Sequence, residues 1–100
     1  MRAKRKDANH NAVADYLLGI GWSFLDTSAL GRGFPDGVAG CLGFACLVEI
    51  KDGDKPPSKR KLTDDEIRVR ALWRGPYIVA TSPEDAAEQL EAFKRKWTGK

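Results

Sequence analysis

The sequence predicts one α/β domain, in which helices cover the faces of a mixed β-sheet. Apolar residues recur at helical spacing in two segments, a third segment opens with a capping box, and four short apolar segments have the length of strands. A chain of 100 residues has too little apolar surface for a second core, so residues 1–100 are expected to form a single domain with a basic tail at 1–6. The expected order of elements is αβββαβα.

The first predicted helix covers residues 7–20. Its apolar positions fall at i, i+3, i+4 and i+7 and are Val13, Tyr16, Leu17 and Ile20. Asp7 or Asn9 can cap its start, because a short polar side chain accepts from the free amides of the first turn. Gly19 or Gly21 can end it, because glycine readily adopts the left-handed conformation that closes a helix.

Three strands are expected next, at 22–28, 36–40 and 44–51. The segment 31–35 contains two glycines and a proline, which makes it a loop or tight turn. The third strand is the clearest, since it begins with the uninterrupted apolar run Phe-Ala-Cys-Leu-Val. Such a run is typical of a central strand with both faces covered.

The second half of the chain predicts a helix, a strand and a last helix. The helix begins at Thr63 and runs to about Trp73, and the strand covers 77–81. Ser82 is placed to cap the last helix and Pro83 to open it. The apolar stripe of that helix is Ala86, Leu90, Phe93 and Trp97. A strand, a helix and a further strand in succession predict a parallel crossover.

The charge of the chain favours a polyanionic partner. The net charge is only +3, but the basic residues are grouped. The groups are Arg2, Lys4, Arg5 and Lys6; Lys55, Lys59, Arg60 and Lys61; and Lys94, Arg95 and Lys96. Each group alone is equally well explained as solvated surface.

Cysteine content and hydropathy place the protein in a reducing compartment. Cys41 and Cys46 are too few for a structural zinc site, and we expect them to be reduced, although a single disulfide is geometrically possible. The basic start has no apolar run behind it, so it is not a signal peptide, and no segment is long enough to span a membrane. A cytoplasmic location is therefore expected.

A possible active site is formed by Asp36, Glu49 and Lys51. Side chains of a strand alternate between its faces, so Glu49 and Lys51 are expected on the same face. Asp36 comes from the adjoining strand and can reach the same point. Two converging carboxylates repel each other unless a cation lies between them. Hard oxygen ligands select Mg²⁺ or Mn²⁺, and the backbone carbonyl of Ile50 is a candidate third ligand.

Structural explanations exist for each part of this pattern. An aspartate after proline commonly caps a turn, and a glutamate and a lysine two residues apart often form a surface ion pair. The combination of all three residues favours a catalytic site.

Three longer segments carry a resemblance to a known family. They are Gly33-Phe-Pro-Asp36, Leu47-Val-Glu49-Ile-Lys51-Asp-Gly and Pro56-Pro-Ser-Lys-Arg-Lys-Leu-Thr63. In this order they resemble the stand-alone VRR-NUC nucleases of phages and bacteria, which belong to the PD-(D/E)XK superfamily. Shorter matches are Asp7-Ala-Asn9, Trp73-Arg-Gly75 and Ser82-Pro-Glu-Asp85. The resemblance covers roughly residues 7–92.

The resemblance implies a restriction-endonuclease-like core and a Mg²⁺- or Mn²⁺-dependent DNA endonuclease. It also implies Asp36 and Glu49 as metal ligands and Lys51 as the catalytic lysine. Stand-alone members are homodimers, and some cut four-way DNA junctions, so branched DNA (a junction or a flap) is the expected substrate. A two-fold dimer suits a pair of symmetrical cuts.

Two positions depart from the family pattern. A glutamate common in the first helix is replaced near Asn11 and Ala12, and Asp15, one turn further on, is the only nearby carboxylate. A glutamine early in the second helix is replaced by Glu66. Thr63 and Glu66 have the spacing of a capping box, which favours a structural role for Glu66.

DNA contacts are expected outside the acidic site. They are assigned to Arg32, Lys55, Lys59, Arg60 and Lys61, because phosphate contacts carry most non-specific affinity. His10 can act as a base or a phosphate contact, although a surface position is the more usual one for a lone helical histidine. The three tryptophans are expected to pack in the core or in a dimer interface.

Two other functions remain open. One is a catalytically weak DNA-binding module of the same fold within a phage complex, which the changed first helix favours. The other is a small RNA-binding domain, which lacks the aromatic-rich strand motif it would need.

Overall fold

The computed structural model describes residues 9–98, with Thr98 described only in its backbone. The basic tail and Asp7 lie outside these residues. The helices are α1 (His10–Gly19), α2 (Asp64–Leu72) and α3 (Pro83–Thr98). The strands are β1 (Ser23–Asp26), β2 (Gly37–Cys41), β3 (Phe44–Ile50) and β4 (Tyr77–Ala80). The predicted order αβββαβα is confirmed, and two short 3₁₀ turns, Ser28–Leu30 and Pro57–Lys59, are added to it.

The four strands form one mixed sheet in the order β1-β2-β3-β4. The first three pair antiparallel, with Gly37 opposite Val48. β3 and β4 are parallel, with Ile50 opposite Ala80, as the crossover through α2 predicts. The central position expected for β3 is confirmed, since it pairs with a strand on each side.

Different helices lie on the two faces of the sheet, and the packing is close on one face only. One face packs against α1 and α3, and Cys46 and Val48 of β3 share this core with Val13 and Leu90. Because strand side chains alternate, Leu47 points to the opposite face. There it lines an apolar groove of about 430 Å³ together with Phe34 and Val38 from the sheet side and Val69, Leu72 and Trp73 around α2. The residue after Val48, Glu49, therefore lies on the α2 face.

The buried stripe of α1 differs from the prediction. Val13 and Leu17 are fully buried, but Tyr16 and Ile20 are exposed and His10 takes the third buried position. Residues 10, 13 and 17 follow the helical repeat just as well, and packing against α3 and β1 selects this phase. The expected surface position of His10 is therefore wrong.

The start of α1 has no side-chain cap, whereas its end is closed by a glycine turn. Asn9 occupies the N-cap position, but its side chain makes no capping hydrogen bond, so the predicted capping role is wrong. At the other end Gly21 has φ +96°, and the Trp22 amide donates to the Leu17 carbonyl at 2.9 Å. This is a Schellman closure, and the ending predicted for Gly21 is confirmed.

Both cysteines are free thiols, and the three tryptophans differ in burial. Cys41 and Cys46 are both reduced, as expected, and burial raises the pKa of the Cys46 thiol to about 12. Trp22 lies in the core, whereas Trp73 and Trp97 remain 44% and 51% exposed.

Within residues 9–98, no helix has the length and apolar character needed to cross a membrane.

Candidate active site

The candidate site lies at the carboxyl end of the central strand β3. Glu49 is fully buried, and Lys51 follows the last strand residue with 11% of its side chain exposed. The Lys51 Nζ atom lies 3.4 Å from Oε2 of Glu49. The prediction that these two side chains share a face is therefore confirmed.

Asp36 joins them from the start of β2. Since Gly37 pairs with Val48, the register carried one step further puts Asp36 opposite Glu49. Its Oδ2 atom accepts a hydrogen bond from the Ile50 amide at 2.8 Å, and its own carbonyl accepts from the Thr27 amide at 2.9 Å. Asp36 is only 2% exposed. All three residues predicted to form the site are thus brought to the same end of the sheet.

Glu66 also belongs to this cluster. The capping box predicted with Thr63 is present, because each side chain bonds to the other residue's backbone amide. The same Oε1 atom of Glu66 that accepts from the Thr63 amide also accepts from Nζ of Lys51, at 2.8 Å. The sequence motif indicated the cap, but nothing in it indicated that the start of α2 lies over the end of β3.

The electrostatics of the cluster keep Lys51 charged. Burial lowers the pKa of the Lys51 ammonium, but the hydrogen bond to Glu66 and the charges of Glu49 and Glu66 outweigh it and raise the pKa above its usual value. At neutral pH the residue is therefore a fixed positive charge and not a base. Two buried carboxyl groups, on Glu49 and Glu66, lie within 3.4 Å of this one ammonium group, and the buried carboxyl group of Asp36 lies on the neighbouring strand opposite Glu49.

Asn9 ties the first helix to the same end of the sheet. Its Nδ2 atom donates to the carbonyl oxygens of Lys51, at 3.1 Å, and Thr81, at 3.0 Å. These two residues directly follow β3 and β4, so a single amide group bridges the ends of the two parallel strands. Asn9 thereby helps to hold the backbone that carries Lys51, and sequence periodicity gave no sign of this contact.

The chain matches no protein-family model, no curated protein and no solved structure. The resemblance to VRR-NUC nucleases therefore depends on the quoted motifs alone.

The donor atoms of the cluster suit a hard divalent cation. Among residues 9–98, no group of three or more histidine, cysteine, aspartate or glutamate side chains is arranged to hold a metal. The predicted metal ligands are not a group of that kind, because only two of them are side chains. They are the carboxylates of Asp36 and Glu49 and the backbone carbonyl of Ile50. Mg²⁺ accepts such a set because it keeps several water ligands. The excess of buried carboxyl groups over the single ammonium group favours a cation at the same point.

The residues assigned to DNA flank this site. Lys55, Lys59 and Lys61 are exposed in the loop that joins β3 to α2, as expected for phosphate contacts. Arg60 differs, because it is half-buried and its Nε atom is buried without a hydrogen-bond partner among the described residues. Arg32 is exposed, and the next residue, Gly33, packs so closely on the backbone of Asp65 in α2 that a Cβ there would clash at 2.4 Å.

The first helix contributes no carboxylate in the position that the resemblance would lead one to expect. Asn11 and Asp15 are both exposed. His10 packs edge-on against Phe24, and its Nε2 atom lies 3.6 Å from Oδ2 of Asp26 in β1. These contacts are with β1 and not with the carboxylates of the cluster, so they give His10 a role in packing α1 on the sheet.

Proposed function

We propose that this protein is a Mg²⁺- or Mn²⁺-dependent DNA endonuclease with a PD-(D/E)XK-type site. One observation carries the proposal: Asp36, Glu49 and Lys51 converge at the end of one buried strand. Burying carboxylates and an ammonium group is costly, and the fold would be served as well by apolar residues. Binding of a cation and a phosphate at this cluster would explain why the fold keeps these charged groups buried.

Each residue of the cluster has a distinct role in the proposal. Asp36 and Glu49, with the Ile50 carbonyl, hold the cation. A cation bound there supplies positive charge that polarises a phosphoryl oxygen. Lys51, kept protonated by its neighbours, stabilises the negative charge that builds up on the scissile phosphate. Glu66 is a positioning residue, because it holds Nζ of Lys51 through a hydrogen bond.

A DNA-binding module without catalysis is the second candidate. It is favoured by the way in which Lys51 already forms ion pairs with both Glu49 and Glu66, an arrangement that can be purely structural. The changed first helix, with Asn11 and Ala12 in place of a carboxylate, favours it too. The exposed lysines after β3 would serve DNA binding in either case.

The decisive experiment is a cleavage assay on matched linear, flapped and four-way DNA. The wild-type protein is expected to cut in Mg²⁺ and not in EDTA, with branched DNA preferred. Lys51→Ala should lower the rate by about 100-fold or more while the dissociation constant for DNA stays within a factor of about two, because lysine acts at the transition state and binding is spread over many residues.

Lys96→Ala is the matched control, since it removes an exposed lysine from α3 on the far face of the sheet. Its cleavage rate should equal that of the wild type. Binding of all three substrates without any metal-dependent cut would favour the binding module. Equal loss of binding and cleavage in Lys51→Ala would mean that Lys51 is only a DNA contact.

We further propose that the protein acts as a two-fold homodimer. The resemblance suggests this, and large apolar residues lie exposed, among them Leu72 at 75% and Trp97 at 51%, which a dimer interface would cover. A symmetrical pair of cuts in a four-way junction is then expected. Sedimentation equilibrium, with and without junction DNA, tests it, and a monomer at every concentration would leave a nicking enzyme.

A further inference from the structure

A further cavity lies at the other end of α2 from the candidate active site. It has a volume of about 470 Å³ and is lined by Arg70, Trp73, Arg74, Gly75, Pro76, Tyr77 and Phe93. Tyr77 opens β4 and pairs with Leu47, whereas the active-site cluster follows the last residues of β3. The proposed nuclease function makes no use of this cavity.

Trp73 is fixed in the wall of this cavity and yet remains 44% exposed. Its indole Nε1 donates to the Pro76 carbonyl at 2.9 Å. The ring lies so close to Gly75 that a Cβ there would be 2.7 Å from it, so only glycine allows this contact. A large aromatic ring is thus held rigidly beside a cavity with much of its surface in water, which is the form of a stacking platform.

Two arginines supply positive charge to the same cavity. Arg70 lies over the ring of Tyr77, with its Cζ atom 5.2 Å from the ring centroid, and Arg74 lies two residues after α2 ends at Leu72. Neither forms an ion pair with a carboxylate of the described residues. The carboxyl end of a helix carries partial negative charge, so an anion is attracted here only because of these two full charges.

We propose that this cavity binds an unpaired nucleotide of a DNA strand, with the base stacked on Trp73 and the phosphate held by Arg70 and Arg74. An aromatic ring beside guanidinium groups that are not paired with carboxylates is the combination that recognises single strands, since every base has a flat face and every nucleotide a phosphate. A base in a duplex is already stacked on both sides and cannot use the ring.

The position of the cavity connects it with the proposed nuclease site, and in this respect the inference rests on the proposed function. Glu66 touches Lys51 near the start of α2, and the cavity begins where α2 ends at Leu72, six residues later, which is about 9 Å along a helix. The cavity would therefore take a nucleotide only a few steps along the strand from the scissile bond. An unpaired nucleotide so close to the cut would favour branched DNA over perfect duplex.

Binding in EDTA tests the cavity independently of catalysis. The probes are a fluorescein-labelled ten-nucleotide oligo-dT and a blunt duplex of equal length, followed by fluorescence anisotropy. Trp73→Leu and Arg74→Ala should each weaken binding of oligo-dT about tenfold, and Arg74→Ala should reduce the slope of log affinity against log salt by about one. Duplex binding should change less than twofold in Trp73→Leu.

Arg68→Ala is the matched control, because Arg68 is an exposed arginine of the same helix that pairs with Asp65 at 2.8 Å and lies outside the cavity. It should leave oligo-dT binding unchanged. Equal losses in Arg68→Ala and Arg74→Ala, or unchanged binding in Trp73→Leu, would overturn the proposal. Loss of oligo-dT binding in the two cavity variants would uphold the nucleotide-binding proposal even if no cleavage is ever found. Failure of this proposal can therefore be told apart from failure of the nuclease proposal.

Trp73→Phe, which keeps a flat ring, controls for folding. It should retain most of the affinity, which would show that Trp73→Leu loses stacking and not folding.

Discussion

Glu66 accepts hydrogen bonds from the ammonium group of Lys51 and from the backbone amide of Thr63 through one and the same oxygen atom. The start of α2 is therefore fixed to the side chain proposed to contact the scissile phosphate. A carboxylate that completes a capping box is held in one rotamer by the helix itself. The cap thereby orients Lys51, so helix formation and the geometry of the candidate site are coupled.

Glu66→Gln should fold almost as well as the wild type, whereas Glu66→Ala should lose about 1–3 kcal/mol of unfolding free energy. The amide oxygen of glutamine can still accept from both Lys51 and Thr63, but alanine leaves both donors without it. Urea unfolding measures the difference. Asp64→Ala, which removes an exposed carboxylate from the same first turn, should change stability by less than about 0.5 kcal/mol. If Glu66→Gln and Glu66→Ala were equally unstable, charge and not hydrogen bonding would be the important property.

The stability that the Lys51 ion pairs provide should disappear in strong alkali. The pKa of Lys51 is raised above its ordinary value of 10.5, so the pairs contribute fully below that pH, and their contribution is lost as the pH rises through the folded-state pKa. Lys51→Met should therefore differ most from a Lys96→Met control at pH 8 and least once the pH has passed the folded-state pKa of Lys51. Denaturant midpoints over this pH range measure it. A difference that stays constant with pH would contradict the ionic contribution.

A divalent cation should bind at Asp36 and Glu49. Calorimetric titration with Mn²⁺ is expected to show a site that Asp36→Asn loses, because a neutral amide is a much weaker ligand for a hard cation. The variant should still fold, since the asparagine oxygen can accept from the Ile50 amide as Asp36 does. Asp54→Asn, in the exposed loop after β3, is the control and should bind Mn²⁺ normally. Unaltered Mn²⁺ binding in Asp36→Asn would place the cation elsewhere.

Asn9→Ala should be destabilised by about 2 kcal/mol, because the Lys51 and Thr81 carbonyl oxygens each lose a hydrogen bond from its amide group. Asn11→Ala removes the same side chain from an exposed position two residues later and should be nearly neutral. Thermal unfolding compares the two. Similar melting temperatures for both variants would show that the bridge between β3 and β4 contributes little.

Leu42→Asn should stabilise the protein by about 1 kcal/mol. Leu42 has φ +51° in the two-residue turn between β2 and β3, and it is 83% exposed, so the leucine bears backbone strain without burying its side chain. Asparagine tolerates this conformation better, and Gly43 already supplies the second left-handed position. Leu30→Asn, at an exposed leucine without positive φ, should bring no such gain. A lower melting temperature for Leu42→Asn would mean that the Leu42 side chain makes a stabilising contact with something other than residues 9–98 of this chain.

Much of the fold and the centre of the candidate site followed from local patterns. Helical spacing and turn residues located the three helices and four strands to within a few residues, and strand alternation placed Glu49 beside Lys51. The capping box of Thr63 and Glu66 was equally visible, because it involves residues three apart. Local patterns were weakest in α1, where residues 10, 13 and 17 and residues 13, 16, 17 and 20 fit the helical repeat equally well.

The local chemistry of the chain thus decided which segments become helices and strands and which side chains share a face, since these depend on backbone geometry over a few residues. Packing decided that His10 is buried, that Asn9 bridges two strand ends and that Glu66 holds Lys51. Those contacts join residues between 15 and 72 positions apart. They depend on where the helices lie on the sheet, which is set by burial of the whole apolar core, so no short motif could contain them.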